Sequence, residues 1–541
     1  MLKIGSVVSG VIKYIDELGN GVIQVKGDKV LVRGVLVNEK LKVKVEKRIK
    51  DAYVASIVEI VEKSKYRIKA KCGIYEKCGS CHLLHLNEEG QKEYKENYLK
   101  QLVLNNKLNL KMNGVTMMEH PYEYRNKIII GFSKDRKGVQ AGFYEEFSHR
   151  IIPYKHCLLH PKICDDIIQT IVELVKKFKV DIYDENSRRG ILRHVLIRYG
   201  MVSKQIMVVF VANQKVFPNL QTISKLLTQK YSDIKTIVLN VNTRKTSVVL
   251  GNEEKIIYGK GYIEDTLCGL NFRISPKSFY QINHSQCEVL YQKAIDLLNL
   301  KGNEVLLDAY CGIGTIGMVA SKHVKEVIGV EVNQDAVKDA INNAKANNIK
   351  NIRFVCDDAS NFMVKKAKAK EKIDVVIMDP PRSGSDENFI KSVAYLNPKQ
   401  VVYISCGPDT QMRDLKTFKR YGYEAQYIEG VDMFPQTLHV ETVVLLSKLK
   451  TKKHIDIELH TDELDLTSSE SKATYQEIKQ YVLDKYGFKV STLNIAQTKQ
   501  KCGIKERDNY NKPKMENSKQ PNCPKEKEDA IKDAFRYFQM I

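Results

Sequence analysis

NEVLLDAYCGIGTIGMVA, residues 303–320, reads as a strand, a glycine turn and the first turns of a helix. Gly312, Gly314 and Gly317 satisfy G-x-G-x-x-G, a spacing in which glycines permit a tight turn and a close approach of helix to strand. Outward from this stretch the same rhythm repeats. KEVIGVEVN (325–333) is a strand ending at Glu331, and IRFVCDDAS (352–360) is one ending at Asp357 and Asp358. IDVVIMDPPRSG (373–384) ends at Asp379 and VVYISCGP (401–408) at Cys406, while HVETVVLL (439–446) opens a strand with Glu441. Strand and helix patterns alternate from about 266 to 449, the signature of βαβ units and a Rossmann-like α/β domain. Open sheets of this kind bind ligands at the carboxyl ends of their strands, where these polar residues fall.

The glycine fingerprint alone leaves the cofactor open. A carboxylate at Glu331 suits the ribose hydroxyls of either NAD or S-adenosylmethionine, and Asp357 or Asp358 would reach an adenine edge. Context favours S-adenosylmethionine, because the loop lies late in the folded core, begins Asp308-Ala-Tyr310-Cys311, and is followed by Asp379-Pro-Pro. Two prolines stiffen that turn and lack amide protons, so carbonyls and the Asp379 carboxylate are left to face a substrate. A thiol between two carboxylates suits one demanding reaction. Carbon 5 of uracil is too weak a nucleophile to take a methyl group until a thiolate has added at carbon 6. In that chemistry Cys406 is the nucleophile, Glu441 removes the carbon 5 proton, and Asp379 orients the pyrimidine edge. A base in structured RNA is stacked, so the target must be flipped out or already unpaired.

The chain has 541 residues, 43% apolar and 28% charged, enough for several domains with substantial cores. Its formal charge of +22 is unevenly placed: residues 451–541 hold 17 Lys and Arg against 15 Asp and Glu, leaving 70 against 50 before them. A basic excess of this size points to a polyanionic partner such as RNA. Neither a secretory start nor a run of eighteen apolar residues occurs, so a cytoplasmic protein with no membrane partner is expected, acting as a monomer. The twelve cysteines accordingly argue for a metal or reduced thiols rather than a disulfide scaffold.

Residues 1–62 alternate apolar and polar positions with glycine punctuation, the pattern of five or so short strands in a small OB-like β-barrel. Alternating lysines in LKVKVEKRIK would line its solvent face. Residues 63–265 form a mixed α+β central domain that carries a cysteine cluster and a helical stretch at 96–118. Cys72, Cys78 and Cys81 stand as C-x5-C-x2-C in KCGIYEKCGSCHLLH, and Cys157 follows in IPYKHCLLHP. Four thiolates suit tetrahedral zinc or an iron–sulfur cluster, and spacing does not choose. Residues 450–541 read as a small appended module with two helices, TYQEIKQYVLDKYG and EDAIKDAFRYFQMI, and no visible chemistry.

DAYCGIGT, MDPPRSG, YISCGP, HVETVVLL and SFYQIN, with the four cysteines, resemble the RNA uracil-carbon-5 methyltransferase family. Within it, the resemblance is to the rRNA branch whose amino-terminal barrel is a TRAM domain. It spans about residues 1–449. By that resemblance Gln281, Tyr310, Glu331 and Asp379 bind S-adenosylmethionine, and Cys406 and Glu441 are nucleophile and base; Gly312, Gly314 and Thr315 of the glycine turn and Asp358 at the third strand's end are expected to join the cofactor site. It further implies that Cys72, Cys78, Cys81 and Cys157 hold a [4Fe-4S] cluster, with zinc the alternative, and that the partner is large-subunit rRNA. Thr315 stands where that branch has Asn. A tRNA uridine methyltransferase, a non-catalytic RNA-binding protein and an NAD-dependent iron–sulfur oxidoreductase are the competing readings.

Overall fold

A computed structural model describes residues 2–16, 19–136, 138–145, 148–245, 248–449, 475–486, 488–502 and 523–537. The chain divides into two compact units, Met1–Ile455 and Asp456–Ile541. No helix among the described residues is long and apolar enough to cross a membrane.

The first unit opens with β1 (Val7–Val11), β2 (Tyr14–Ile15), β3 (Gly21–Val25), β4 (Asp28–Val32), β5 (Lys40–Ile49) and β6 (Ala52–Glu62). These make one six-stranded sheet in the order β1-β5-β6-β4-β3-β2. The sheet curls on itself: a Cβ at Gly10 in β1 would come within 2.1 Å of Ile23 in β3. Leu41, Val43 and Val45 of β5 point inward between exposed lysines, as a period of two requires. The expected cationic face is partly neutralised, since Lys40 pairs with Glu62 at 3.0 Å and Lys42 with Glu59 at 2.8 Å. Buried Glu39 takes both guanidinium arms of Arg67, at 2.5 and 2.6 Å, and so ties the sheet to the chain that leaves it.

Helix α1 (Glu88–Asn105) is started by Asn87, whose side chain accepts from the Gly90 amide, with Glu88 and Glu89 in its first turn. After it comes a strand, β7 (Lys111–Thr116), where sequence alone suggests that the helix runs on to 118. Left-handed Lys107 stops the helix, and KMNGVT is then captured by a parallel partner far away in the chain. Next come β8 (Lys127–Asp135), β9 (Gly138–Tyr144), β10 (Ile151–Pro153), α2 (Lys162–Lys177), β11 (Leu192–Tyr199), β12 (Ile206–Ala212), α3 (Leu220–Lys230), β13 (Ile234–Val241) and β14 (Glu253–Gly259). The sheet order is β10-β9-β8-β11-β12-β13-β14. Strand β12 is buried throughout. Val208, Phe210 and Ala212 enter the core under α2 and α3, and Met207, Val209 and Val211 enter the core of the following α/β region.

That region begins with the hairpin β15 (Ile263–Leu267) and β16 (Leu270–Ile274), then α4 (His284–Leu297), β17 (Val305–Ala309), α5 (Thr315–Ala320), β18 (Glu326–Glu331), α6 (Gln334–Ala346) and β19 (Ile352–Cys356). It continues through α7 (Ala359–Lys368), β20 (Val375–Met378), α8 (Glu387–Leu396), β21 (Gln400–Ser405), α9 (Pro408–Arg420), β22 (Tyr423–Val431) and β23 (Glu441–Lys448). Its eight-stranded sheet runs β19-β18-β17-β20-β21-β23-β22-β7. The first five strands keep the order of a dinucleotide fold. Then β23 is inserted antiparallel between β21 and β22, and β7, contributed from before residue 120, covers the edge.

In the second unit, helices Tyr475–Tyr486, Thr492–Lys501 and Lys525–Tyr537 surround Ile478, Val482, Ile495, Ile531 and Phe535. The middle helix was not anticipated; Ser491 and Asn494 start it with a reciprocal capping box. Residues 538–541 of the last expected helix lie outside the described residues.

Lys95 of α1 is fully buried against the carboxylate of Asp432, just after β22. Lys95→Met should strand that carboxylate and cost about 3–5 kcal/mol in chemical denaturation of the full chain; a change under about 1 kcal/mol would refute the pair's structural weight.

Candidate active site

Strands β17, β18, β19, β20 and β21 are parallel, so their carboxyl ends share one edge of the sheet. Because β23 runs the other way, it brings its first residue to that edge. The register pairs Ser405 with Thr442, which sets Cys406 and Glu441 at the next step of neighbouring strands. Along the edge the chain therefore presents, strand by strand, Asp358, Glu331, Tyr310, Asp379, Cys406 and Glu441. The pairing is locked from α9: the Thr442 hydroxyl lies 2.8 Å from Gln411 Oε1 and 3.1 Å from the Ser405 carbonyl, and Gln411 Nε2 donates to the Tyr403 carbonyl at 3.0 Å.

Charge is compressed here. Glu441 is 2% exposed and its Oε2 has no hydrogen-bond partner. Burial, with Asp379 adding, holds its carboxyl well above the usual range against the pull of Arg382. Burial pushes half-buried Asp379 up to about 7. Burial and like charge thus disfavour ionising both carboxyls at once. The Cys406 thiol is raised by burial, then by Glu441 and Asp379, while Arg382 opposes through its charge and a hydrogen bond. The resting thiol is thus protonated, and Arg382 is the group that favours its thiolate. Arg382 follows directly on the Asp-Pro-Pro turn, a position whose role sequence reading left unassigned.

In the glycine turn, Tyr310 (φ 65°), Gly312 (φ 55°) and Gly314 (φ 80°) all adopt the left-handed region. A Cβ on Gly314 would sit 2.7 Å from the Phe354 ring, and one on Gly317 would sit 2.6 Å from Asp308 Oδ2. Asp308 accepts the Gly317 amide at 2.9 Å and so ties helix to strand; its other oxygen has no partner. Nothing in the DAYCGIGT motif itself marks this aspartate for that role. Glu331 accepts the Gly312 amide at 3.1 Å and the Asn333 amide at 2.8 Å, so two expected cofactor contacts are bonded to each other. Tyr310 is oriented by Ser385 Oγ at 3.0 Å and by the Phe389 ring. The Thr315 hydroxyl meets Tyr291 of α4 at 2.7 Å, and Asp358 caps α7 through the Asn361 amide at 3.0 Å. Buried Gln281 arrives from the loop before α4, its carbonyl held by Asn126 Nδ2 at 2.7 Å.

Cys72, Cys78, Cys81 and Cys157 line one small cavity with Ile74, Leu84 and Phe143. Buried Asp165 fixes the Cys157 loop by accepting its amide at 3.1 Å and by bonding His156 and His160. Among the described residues, no three His, Cys, Asp or Glu side chains are gathered tightly enough to hold a single metal ion. Beside this cavity opens a cleft of about 1210 Å³ lined by Lys127, Arg188, Arg193, Lys245, Tyr144 and His194 among others, and by Ile282, next to Gln281.

An α/β sheet with a glycine turn after its central strand and polar residues gathered on its ligand edge is a Rossmann-like methyltransferase fold. Residues 163–449 match the tRNA (uracil-5-)-methyltransferase family. An uncharacterized RNA methyltransferase of Clostridium tetani is 36% identical over 436 residues, 80% of this chain and 95% of that protein. One from Bacillus cereus is 37% identical over 434 residues, 80% of this chain and 94% of that protein. The crystal structure of Pyrococcus abyssi tRNA (uracil-54, C5)-methyltransferase in complex with S-adenosyl-L-homocysteine aligns with a TM-score of 0.66 and 28% identity, covering 81% of this chain and 100% of its own. The chain belongs to the RNA uracil-5-methyltransferase family.

Burial pushes the Asp308 carboxyl up to about 8, with Asp379 and Glu331 adding. A carboxyl raised on folding binds a proton there, so its contribution to stability is complete below its unfolded value near pH 4 and is lost as pH rises through about 8. The first unit should therefore lose stability between pH 5 and pH 8, and Asp308→Asn, which keeps an acceptor for Gly317, should flatten that slope in melting curves; an unchanged slope would remove Asp308 as its source.

Proposed function

We propose that this protein methylates carbon 5 of a uridine in RNA, using S-adenosylmethionine and a transient covalent bond from Cys406 to carbon 6. The observation that carries the reading is the Ser405–Thr442 register, which sets a thiol and a buried carboxyl side by side on the ligand edge of the sheet. The cofactor's residues suit it: a turn in which Gly312 leaves open space, Glu331 at the end of the second strand for ribose hydroxyls, and Tyr310, Thr315, Gln281 and Asp358 around them. When bound, S-adenosylmethionine supplies an electrophilic methyl group. Everything else falls to the chain.

Cys406 sulfur bonds to carbon 6 as its thiol proton passes to solvent, to be regained when the sulfur is expelled, and the carbon 5–carbon 6 π pair moves toward carbon 5 and the neighbouring carbonyl. Arg382 favours the thiolate, and Asp379 holds the pyrimidine edge. Once carbon 5 carries the methyl group, Glu441 takes its proton; the pair left behind re-forms the double bond and expels the sulfur. A raised proton affinity makes the Glu441 carboxylate the stronger base. The cleft beside Gln281, with Lys127, Arg188 and Lys245 and the ring of Tyr144 in its lining, suits RNA flanking the target.

Four cysteines lining one cavity supply the donor set of a [4Fe-4S] cluster, with zinc the alternative, and the choice of the cluster rests on the family resemblance. Iron with acid-labile sulfide in the purified protein is expected. We favour large-subunit rRNA as substrate, and tRNA is the second reading: the Pyrococcus abyssi enzyme, named for tRNA, is covered along its full length, so the amino-terminal regions do not by themselves separate the two.

Methyl incorporation into unmodified large-subunit rRNA and into tRNA, with nucleosides identified by mass, tests this directly. Cys406→Ala should abolish 5-methyluridine, a loss of at least about 10³-fold. Glu441→Gln should transfer methyl but trap a denaturant-resistant protein–RNA complex. Normal turnover in either variant would overturn the assignment.

A further inference from the structure

The loop between β22 and β23, Asp432–Val440, delivers Glu441, and it is held by more of the chain than any turn of that length needs. Met433 O accepts from Asn283 Nδ2 at 3.1 Å, Phe434 O from Lys95 Nζ at 3.3 Å, and Pro435 O from the Tyr124 hydroxyl at 3.0 Å. Gln436 O accepts from two consecutive amides, those of His82 at 2.8 Å and Leu83 at 3.0 Å. Four successive carbonyls are thus gripped from four places: the loop bearing Gln281, α1, the chain before β8, and the cysteine segment directly after Cys81. Gln436 itself is 2% exposed and has φ 68°, a conformation that non-glycine residues adopt only when surroundings impose it. Its side chain and amide are paired with Gln91 of α1, Gln91 Nε2 donating at 2.8 Å and Gln91 Oε1 accepting at 3.2 Å.

We propose that Gln436 is a positioning residue through which the cysteine segment and α1 set the place of Glu441. This rests on the reading of Glu441 as the base. Cys78, Cys81, His82 and Leu83 belong to one short stretch, so the way the cysteines are seated fixes the two amides that hold the Gln436 carbonyl. The strained residue and its paired glutamine then fix where β23 begins. On this account the cysteine segment bears first on the proton-abstraction step, because it acts through the start of β23, which carries Glu441.

Two variants separate positioning from folding. Gln436→Gly removes the side chain and its buried hydrogen bond while relieving the left-handed strain, so the two effects offset and the melting temperature should change little. Gln91→Ala removes the partner. In single-turnover reactions with a uridine-containing rRNA fragment, both should transfer methyl within about threefold of the native rate yet release product about tenfold or more slowly, with the covalent complex persisting in denaturant; ångström-scale misplacement of a reacting group costs on the order of that much. Gln91→Glu, which retains the acceptor for the Gln436 amide, should recover part of the release rate. If release is normal in Gln436→Gly and Gln91→Ala while Glu441→Gln still traps the complex, the inference falls and the base remains. If transfer and release slow together in step with a lowered melting temperature, Gln436 is only structural and the inference is likewise overturned. If neither the native protein nor Glu441→Gln forms product or complex, the function itself was misread.

Discussion

The reversal of a single strand is the constraint on which the active edge depends. In a wholly parallel sheet only strand ends reach the ligand side, and each is followed by a crossover that carries the chain away. Inserting β23 antiparallel beside β21 adds a strand's first residue to that edge, immediately opposite a strand's last. Thr442 and Gln411 then fasten the two backbones from within. The arrangement concentrates two carboxyls and a thiol in a poorly hydrated space with Arg382 as the opposing charge. Such a site is intrinsically unfavourable, and the surrounding β-branched core of Val402, Ile404, Val443 and Val444 supplies the stability that tolerates it.

Strand reversal also creates a difficulty at the far side of the sheet, where β22 would present an open edge. The amino-terminal half solves it by lending β7, with α1 laid above so that Leu99 and Val115 close on Gly430, where a Cβ would come within 2.9 Å of both side chains. Sheet membership therefore cuts across chain order. The same helix carries Lys95 and Gln91, so one element both covers the edge and grips the loop that follows β22.

What was legible in the sequence was local. Each strand end carries its own punctuation, glycine, Asp-Pro-Pro or Cys-Gly-Pro, and alternation of β5 or the unbroken apolar run of β12 follows from which faces are covered. What was not legible depends on distant pairing. KMNGVT has no strong strand signal, and it becomes a strand only because β22, some three hundred positions later, offers a partner. Lysines on β5 look like a free cationic face until Glu59 and Glu62 arrive across the sheet. Asp308 and Arg382 stand inside motifs that were read, yet their work lies in an amide and a thiol that only folding brings near them. The helix at Thr492–Lys501 was hidden because its polar face outweighs its few buried residues, Ile495 and Thr498 among them.

Strand β12 gives alternate side chains to two different cores. Lobes joined in that way cannot swing as separate bodies without tearing apolar contacts on both sides of one strand. The active edge and the basic cleft are consequently held at a set separation, like the jaws of a fixed gauge. Accommodation to a structured RNA would then fall on the nucleic acid, and would be cheapest where the target base unstacks readily.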